Sequence, residues 1–142
     1  MKIVICASLD FTEEIKKTAD KLAELGHQVV IPRTSEMILS GEVTLAQIKE
    51  EKNNGQIYKR AIRQDAIRSY FQEIEKSEAI LVLNLDKKGV KNYVGGNTFL
   101  EIGLAYYLRK NIFFYNPVPK MSYSAEIKVM QPVVINGDLG IL

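Results

Sequence analysis

The amino-acid sequence predicts an α/β domain built on a doubly wound, parallel sheet of five strands, and three observations carry that expectation. Short runs of β-branched and apolar residues, without polar alternation, recur at 3–7, 29–31, 79–83, 112–115 and 133–135. Such runs read as strands covered on both faces, the condition of a parallel sheet. Segments with apolar residues at helical spacing lie between them, and strands that alternate with helices give parallel crossovers. Chain-breaking residues close the elements, at Gly26, Pro32, Asn116-Pro117 and Asn136-Gly137.

The first run, 3–7, is followed by a turn at Ser8-Leu9-Asp10. From 11 to 25, Phe11, Ile15, Ala19, Leu22 and Leu25 fall near helical spacing; Asp10 with Glu13 resembles a capping box, and Gly26 supplies a left-handed stop. The strand at 29–31 completes a βαβ unit, whose crossover is expected to be right-handed. Residues 33–57 are polar and hold Ser40-Gly41 and Asn53-Asn54-Gly55, with a helical hint only at 44–52. This stretch reads as a surface excursion, either a lid or simply a long crossover. One helix is expected over 58–77, with Ile62, Ala66, Ile67, Tyr70, Phe71 and Ile74 on an inner face. The strand at 79–83 ends in Asn84-Leu85-Asp86, and Gly95-Gly96 precede a helix over 97–109. A short helix over 122–130 separates the last two strands. The simplest strand order is 2-1-3-4-5, flavodoxin-like or Rossmann-like, in a single domain covering 1–142.

With 142 residues, 46% of them hydrophobic, the chain can fill one core. A net charge of +2, with Lys and Arg dispersed among acids, excludes a basic face of the kind that binds nucleic acid or a membrane. Cys6 and His27 are the only cysteine and histidine, so neither a disulfide framework nor a Cys/His metal cluster is possible within the chain. No metal and no cofactor are expected. The N-terminal apolar run is too short for a signal peptide, and no run approaches the roughly 20 apolar residues that span a bilayer. The expected location is the cytoplasm.

Doubly wound sheets bind ligands beyond the carboxyl ends of their strands, where the strand order switches. That rule selects the loops after the first, third and fourth strands. They carry Ser8 and Asp10, then Asn84, Asp86 and the Gly95-Gly96 pair, then Asn116. Between Asn92 and Leu108 the only charged residue is Glu101, on a helix apolar on nearly every face and so expected to be buried. A carboxylate there must be hydrogen-bonded, open to a site, or raised in pKa, and each state suits a catalytic acid, base or nucleophile. The competing reading is local. If Thr98 is the N-cap, Thr98-x-x-Glu101 is a capping box, and a carboxylate in the first turn gains from the helix dipole. Gly95-Gly96 either let backbone approach a sugar or phosphate or only form a turn.

The run Gly95-Gly96-Asn97-Thr98-Phe99-Leu100-Glu101-Ile102-Gly103-Leu104-Ala105, after a strand ending in Asp86, resembles the nucleoside 2-deoxyribosyltransferase family. That family carries a Gly-Thr-x-x-Glu-x-Gly-x-Ala signature whose glutamate is the nucleophile. Cys6-Ala7-Ser8-Leu9-Asp10-Phe11 is similar to its first strand and substrate loop. The resemblance implies that Glu101 is the nucleophile, that Asp86 assists at the sugar and base, and that Ser8 contacts substrate or phosphate. It implies a small-molecule nucleoside or nucleotide as partner, and a homo-oligomer, a dimer or larger, with sites near subunit contacts. Met121 lies where the family sends a segment across a subunit interface. The family's sugar-holding aspartate is Gly95 here, and its glycine before the threonine is Asn97, so the sugar contacts differ.

Cleavage of an N-glycosidic bond develops positive charge at the anomeric carbon, which a carboxylate stabilises or captures covalently. Water then gives hydrolysis and a second base gives transfer. Hydrolysis, as in the related deoxynucleoside monophosphate N-glycosidases, is as compatible as transfer. A phosphoribohydrolase of the lysine-decarboxylase-like type and a non-catalytic nucleotide-binding or sensing module are the alternatives. The leaving base needs a proton, for which Asp86 is the candidate; an exposed loop carboxylate beside Lys87 and Lys88 is the other reading of it. Tyr93, Asn97 and Thr98 flank the glycines as further substrate contacts, with Tyr93 better placed than Tyr106 or Tyr107, which read as packing residues. His27, Arg33 and Lys59-Arg60 read as surface, and Cys6 as core.

Overall fold

β1 (Lys2–Cys6) sits inside the sheet because four consecutive apolar side chains, Ile3 to Cys6, have no polar face to turn to water. A computed structural model describes all residues, 1–142, and pairs β1 in parallel with β2 (Gln28–Val30) on one side and β3 (Ala79–Val82) on the other. β4 (Asn111–Phe114) and β5 (Val133–Val134) extend the sheet in the order β2-β1-β3-β4-β5, every pair parallel. The expected architecture is therefore the one observed, with strand limits within about a residue or two of those read from the sequence.

Alternation along the strands divides the core in two. Val4, Cys6, Ile80, Val82, Ile112 and Phe114 face one side. There they pack under Ile74 of α5 (Ala66–Glu75), Ile102 and Ala105 of α6 (Gly96–Tyr107) and Ile127 of α7 (Ser124–Val129). Ile3, Ile5, Ala79, Leu81 and Leu83 face the other side, where α1 (Thr12–Glu24) contributes Ile15 and Leu22. Strands buried on both faces are what two layers of helices require. No helix is long and apolar enough to cross a membrane.

Four sequence expectations are corrected. The stretch 33–57 is helical: α2 (Arg33–Ser40), α3 (Leu45–Asn53) and the start of α4 (Ile57–Gln64). The inner face of α2 is polar, which hides the helical period from an apolar count. Ser35 Oγ meets Thr12 Oγ1 at 3.0 Å, and Thr34 Oγ1 donates to Gln64 Oε1 at 3.1 Å. Gly41, at φ 84°, ends α2, and a capping box between Thr44 and Gln47 starts α3.

The helix expected over 58–77 is two helices. Asp65 adopts a left-handed conformation (φ 47°, ψ 46°) between α4 and α5. Asp tolerates this conformation better than most non-glycine residues. The break turns Ile62 outward, 71% exposed, and of the six residues expected on an inner face only Ile74 is fully buried.

The N-terminal capping box of α1 does not form. A 3-10 turn (Leu9–Phe11) comes first, Ser8 Oγ accepts from the Asp10 amide at 3.4 Å, and the Thr12 hydroxyl donates to the Leu9 carbonyl at 2.6 Å. Finally, α6 is buried along one face only. Leu100 is 50% and Tyr107 82% exposed, and Tyr106 is exposed as well, so these tyrosines are not core packing.

Candidate active site

α6 starts at Gly96, with Gly95 as its N-cap, so Thr98 is its third residue and Glu101 its sixth. Glu101 is therefore beyond the turn that carries unpaired amides, and the capping-box reading does not hold. Its side chain points inward beside Cys6, at the carboxyl end of β1, and is 8% exposed. That residual exposure opens onto a cavity of about 430 Å³, within the range of small-molecule sites.

The cavity lies at the carboxyl ends of β1 and β2. Ala7 and Leu9 form one wall, Ile31 to Thr34 a second, and Tyr70 and Phe71 of α5 a third; Asn97, Leu100 and Glu101 of α6 complete it. The Tyr70 hydroxyl donates to the Ile5 carbonyl, which fixes the ring between helix and sheet. Besides Thr34 and Asn97, the polar lining is Arg33, Glu36, Gln64, Ser69, Glu73 and Glu101. Glu73 is engaged by Lys2 Nζ at 3.1 Å, whereas Arg33 and Glu36 form no ion pair.

Two effects compete at Glu101. Burial disfavours its anion, and the neighbouring Cys6 thiol favours it. Burial dominates, raising the carboxyl from 4.5 to about 8. The same burial, together with the neighbouring Glu101, pushes the Cys6 thiol up, so Cys6 stays a neutral core residue. Glu101 is thus a protonated carboxyl near neutral pH, held against an open hollow with no basic group paired to it.

Of the other residues proposed in the sequence as substrate contacts, only Asn97 joins Glu101 on the cavity wall; Arg33, read as surface, borders it as well. Asn84 and Asn116 hold each other instead. Asn84 Nδ2 donates to the carbonyls of Asn116 (2.9 Å) and Pro117 (3.0 Å), and its Oδ1 accepts from the Asn116 amide at 2.9 Å. Asn116 Nδ2 returns a bond to the Asn84 carbonyl at 3.1 Å. A buried amide left unpaired costs about 1–3 kcal/mol per group, so this cluster ties the end of β3 to the end of β4. Asp86 is exposed, and its Oδ1 accepts from the Asn92 amide at 2.9 Å. Ser8 and Asp10 face Lys87, away from the cavity wall. Thr98 is buried and Gly96 exposed.

Gly95 has an extended backbone, φ −81°, that any residue adopts. What favours glycine there is Tyr93: a β-carbon at position 95 would stand 3.3 Å from Tyr93 Cε1, so the ring would have to give by a few tenths of an ångström. His27 is half-buried, with Nδ1 3.2 Å from the N-terminal amine, rather than free on the surface. Arg60 is bound by Glu51 through two bonds of 2.8 and 2.7 Å, and Met121 packs against the core under α5–α7.

The wall residues that sequence reasoning missed, Thr34, Glu36, Gln64 and Ser69 among them, come from the stretch read as a polar excursion and from the broken helix. One signal was available. The loop after the second strand is also a carboxyl-end loop, and Pro32-Arg33 begins there.

No protein-family model, no curated protein and no solved structure matches this chain.

Proposed function

We propose that the protein cleaves, or transfers at, the N-glycosidic bond of a nucleoside or nucleotide, with Glu101 as nucleophile. The observation that carries this reading is a single buried carboxyl on the wall of a ligand-sized cavity at the carboxyl edge of the sheet. The residues resembling the deoxyribosyltransferase signature support it, since Glu101 is the signature's glutamate.

In the reaction, the ionised Glu101 attacks the anomeric carbon. The bond to the base breaks with its electron pair leaving on the base nitrogen, which takes a proton, and a glycosyl ester of Glu101 forms. Water resolves that ester to free sugar and restores the carboxylate, or the nitrogen of a second base takes the sugar instead. Asp86 stands off the wall, so the proton for the leaving base comes from a group that shares the cavity. Glu36, which borders the same cavity and has no ion-pair partner, is the acid we assign to it.

The test is incubation of the protein with a panel of nucleosides, deoxynucleoside monophosphates and ribonucleoside 5′-monophosphates, following free base by chromatography. Release is the expected result; release confined to ribonucleoside 5′-monophosphates would assign the phosphoribohydrolase alternative. A binding or sensing module is the second reading, favoured by the exposed position of Asp86. Thermal stabilisation by an intact nucleotide, with no base released over long incubation, would select it. No release and no stabilisation by any member of the panel would sink both.

We infer further that a second copy of this chain covers the exposed face of α6. Leu100 belongs both to the cavity wall and to an apolar groove with Phe99, Gly103, Val129 and Met130, so the uncovered surface runs to the site. Exposed contiguous apolar surface of this kind marks association. Light scattering is expected to give a mass of at least two chains, and Tyr107→Glu, at a site 82% exposed, should shift it to one. A monomeric wild type would refute the assignment.

A further inference from the structure

Outside the cavity, charged side chains from three separate stretches of chain meet at the carboxyl edge of the sheet. Asp10, in the turn after β1, places Oδ1 3.2 Å from Lys52 Nζ and Oδ2 3.0 Å from Lys87 Nζ. Lys52 lies in the last turn of α3, and Lys87 in the loop after β3. Lys88 is near enough to Lys52 to disfavour its charge. None of these four residues lines the Glu101 cavity.

The charges do not balance. Asp10 faces two ammonium groups, those of Lys52 and Lys87, and Lys88 adds a third positive charge near Lys52, so these four residues carry two positive charges in excess. The other carboxylate of this loop, Asp86, is turned to the Asn92 amide. Lys87 is fully engaged: it donates to Ser8 Oγ at 2.7 Å, pairs with Asp10, and lies 5.4 Å from the centre of the Tyr93 ring. Lys52 is not. Asp10 is its one partner, so two of its three N–H bonds are free. Burial and repulsion from Lys87 both weigh against its charge, and Asp10 does not offset them fully. A part-buried ammonium with donors the protein does not use, next to further positive charge, favours binding of an anion.

The geometry points to a binding site for a phosphate-type dianion, held by Lys52 and Lys88 and backed by Lys87, separate from the Glu101 cavity. Two negative charges match the excess. The place, between the loops after β1 and β3, is where the strand order of this sheet switches, and open α/β sheets bind ligands there. This assignment does not depend on glycosidic chemistry at Glu101, and its test reads no base release.

The experiment is thermal unfolding of the whole chain in inorganic phosphate, in ribose 5-phosphate, and in chloride at matched ionic strength. At about 10 mM the phosphate compounds should raise the midpoint by about 2–4 °C over chloride. Lys88→Met should lose most of that rise, and so should Lys52→Met, whereas Lys59→Met, on exposed α4 surface, should keep it. Lys88 makes no hydrogen bond or ion pair in the structure, so its substitution removes charge without removing a contact, and it decides the matter if Lys52→Met is destabilised. A larger rise with ribose 5-phosphate assigns the site to a phosphorylated metabolite; equal rises assign it to the free ion. Phosphate compounds no better than chloride, or a full rise retained in Lys88→Met, would overturn the assignment.

Discussion

Glu101→Gln should lower base release by on the order of 10³-fold or more, because an amide cannot form the glycosyl ester and loss of a nucleophile commonly costs at least that much. Gln has nearly the same volume, so the packing against Cys6 and the wall of the cavity is retained, and the far-ultraviolet circular dichroism should match wild type. The wild-type pH profile adds a second check. Attack requires the anion, yet the carboxyl in the empty cavity keeps its proton to about pH 8. The rate at low substrate should therefore climb by roughly tenfold per pH unit on the acid side and level off once Glu101 ionises. If Glu101 instead donated a proton to the leaving base, the same titration would make the rate fall. A Gln variant as active as wild type would remove Glu101 from the chemistry altogether.

The same substitution should alter stability, with a sign fixed by proton linkage. In the folded chain Glu101 holds its proton to about pH 8, whereas the unfolded carboxyl releases it near 4.5. Between those values the folded state binds more protons than the unfolded one, so wild-type stability falls as pH rises through that window. Below it both states are protonated and the full stability is present. Above it both are ionised, and the loss, about 5 kcal/mol at most, is complete. Glu101→Gln does not titrate and lacks this contribution. Urea unfolding at about pH 5, 7 and 9 should show the variant gaining on wild type at each step, with the largest gap at the alkaline end. Parallel curves for the two proteins would mean that the carboxyl ionises as easily in the fold as in the open chain.

The strands were legible because nothing polar interrupts them: Ile3 to Cys6 and Ala79 to Leu83 have no face that suits water, so a sheet covered on both sides follows. Glu101 was legible for the converse reason, a charge where its neighbours have none. The rest of the cavity was not. α2 packs inward through Thr34 and Ser35, whose hydroxyls are satisfied by Gln64 and Thr12. A helix with a polar inner face carries no apolar period to count. The spacing from Ile62 to Ile74 was a real helical pattern, but one residue in a left-handed conformation splits it, and Ile62, before the split, faces outward. Asp86 and Asn84 drew attention by their place at the end of β3. The structure uses both to close loops, Asp86 on the Asn92 amide and Asn84 on Asn116. Position at the ligand edge selects the correct region without showing which side chains are free to act.

The interruption at Asp65 has a wider meaning for the molecule. Gln64 and Ala66, its two neighbours, both border the hollow in front of Glu101, while Asp65 itself does not. The width of the chamber is thus governed by the dihedral angles of a residue that never meets whatever occupies it. Selectivity in such a protein can drift through a bend in its scaffold, with every atom that greets the guest left unaltered.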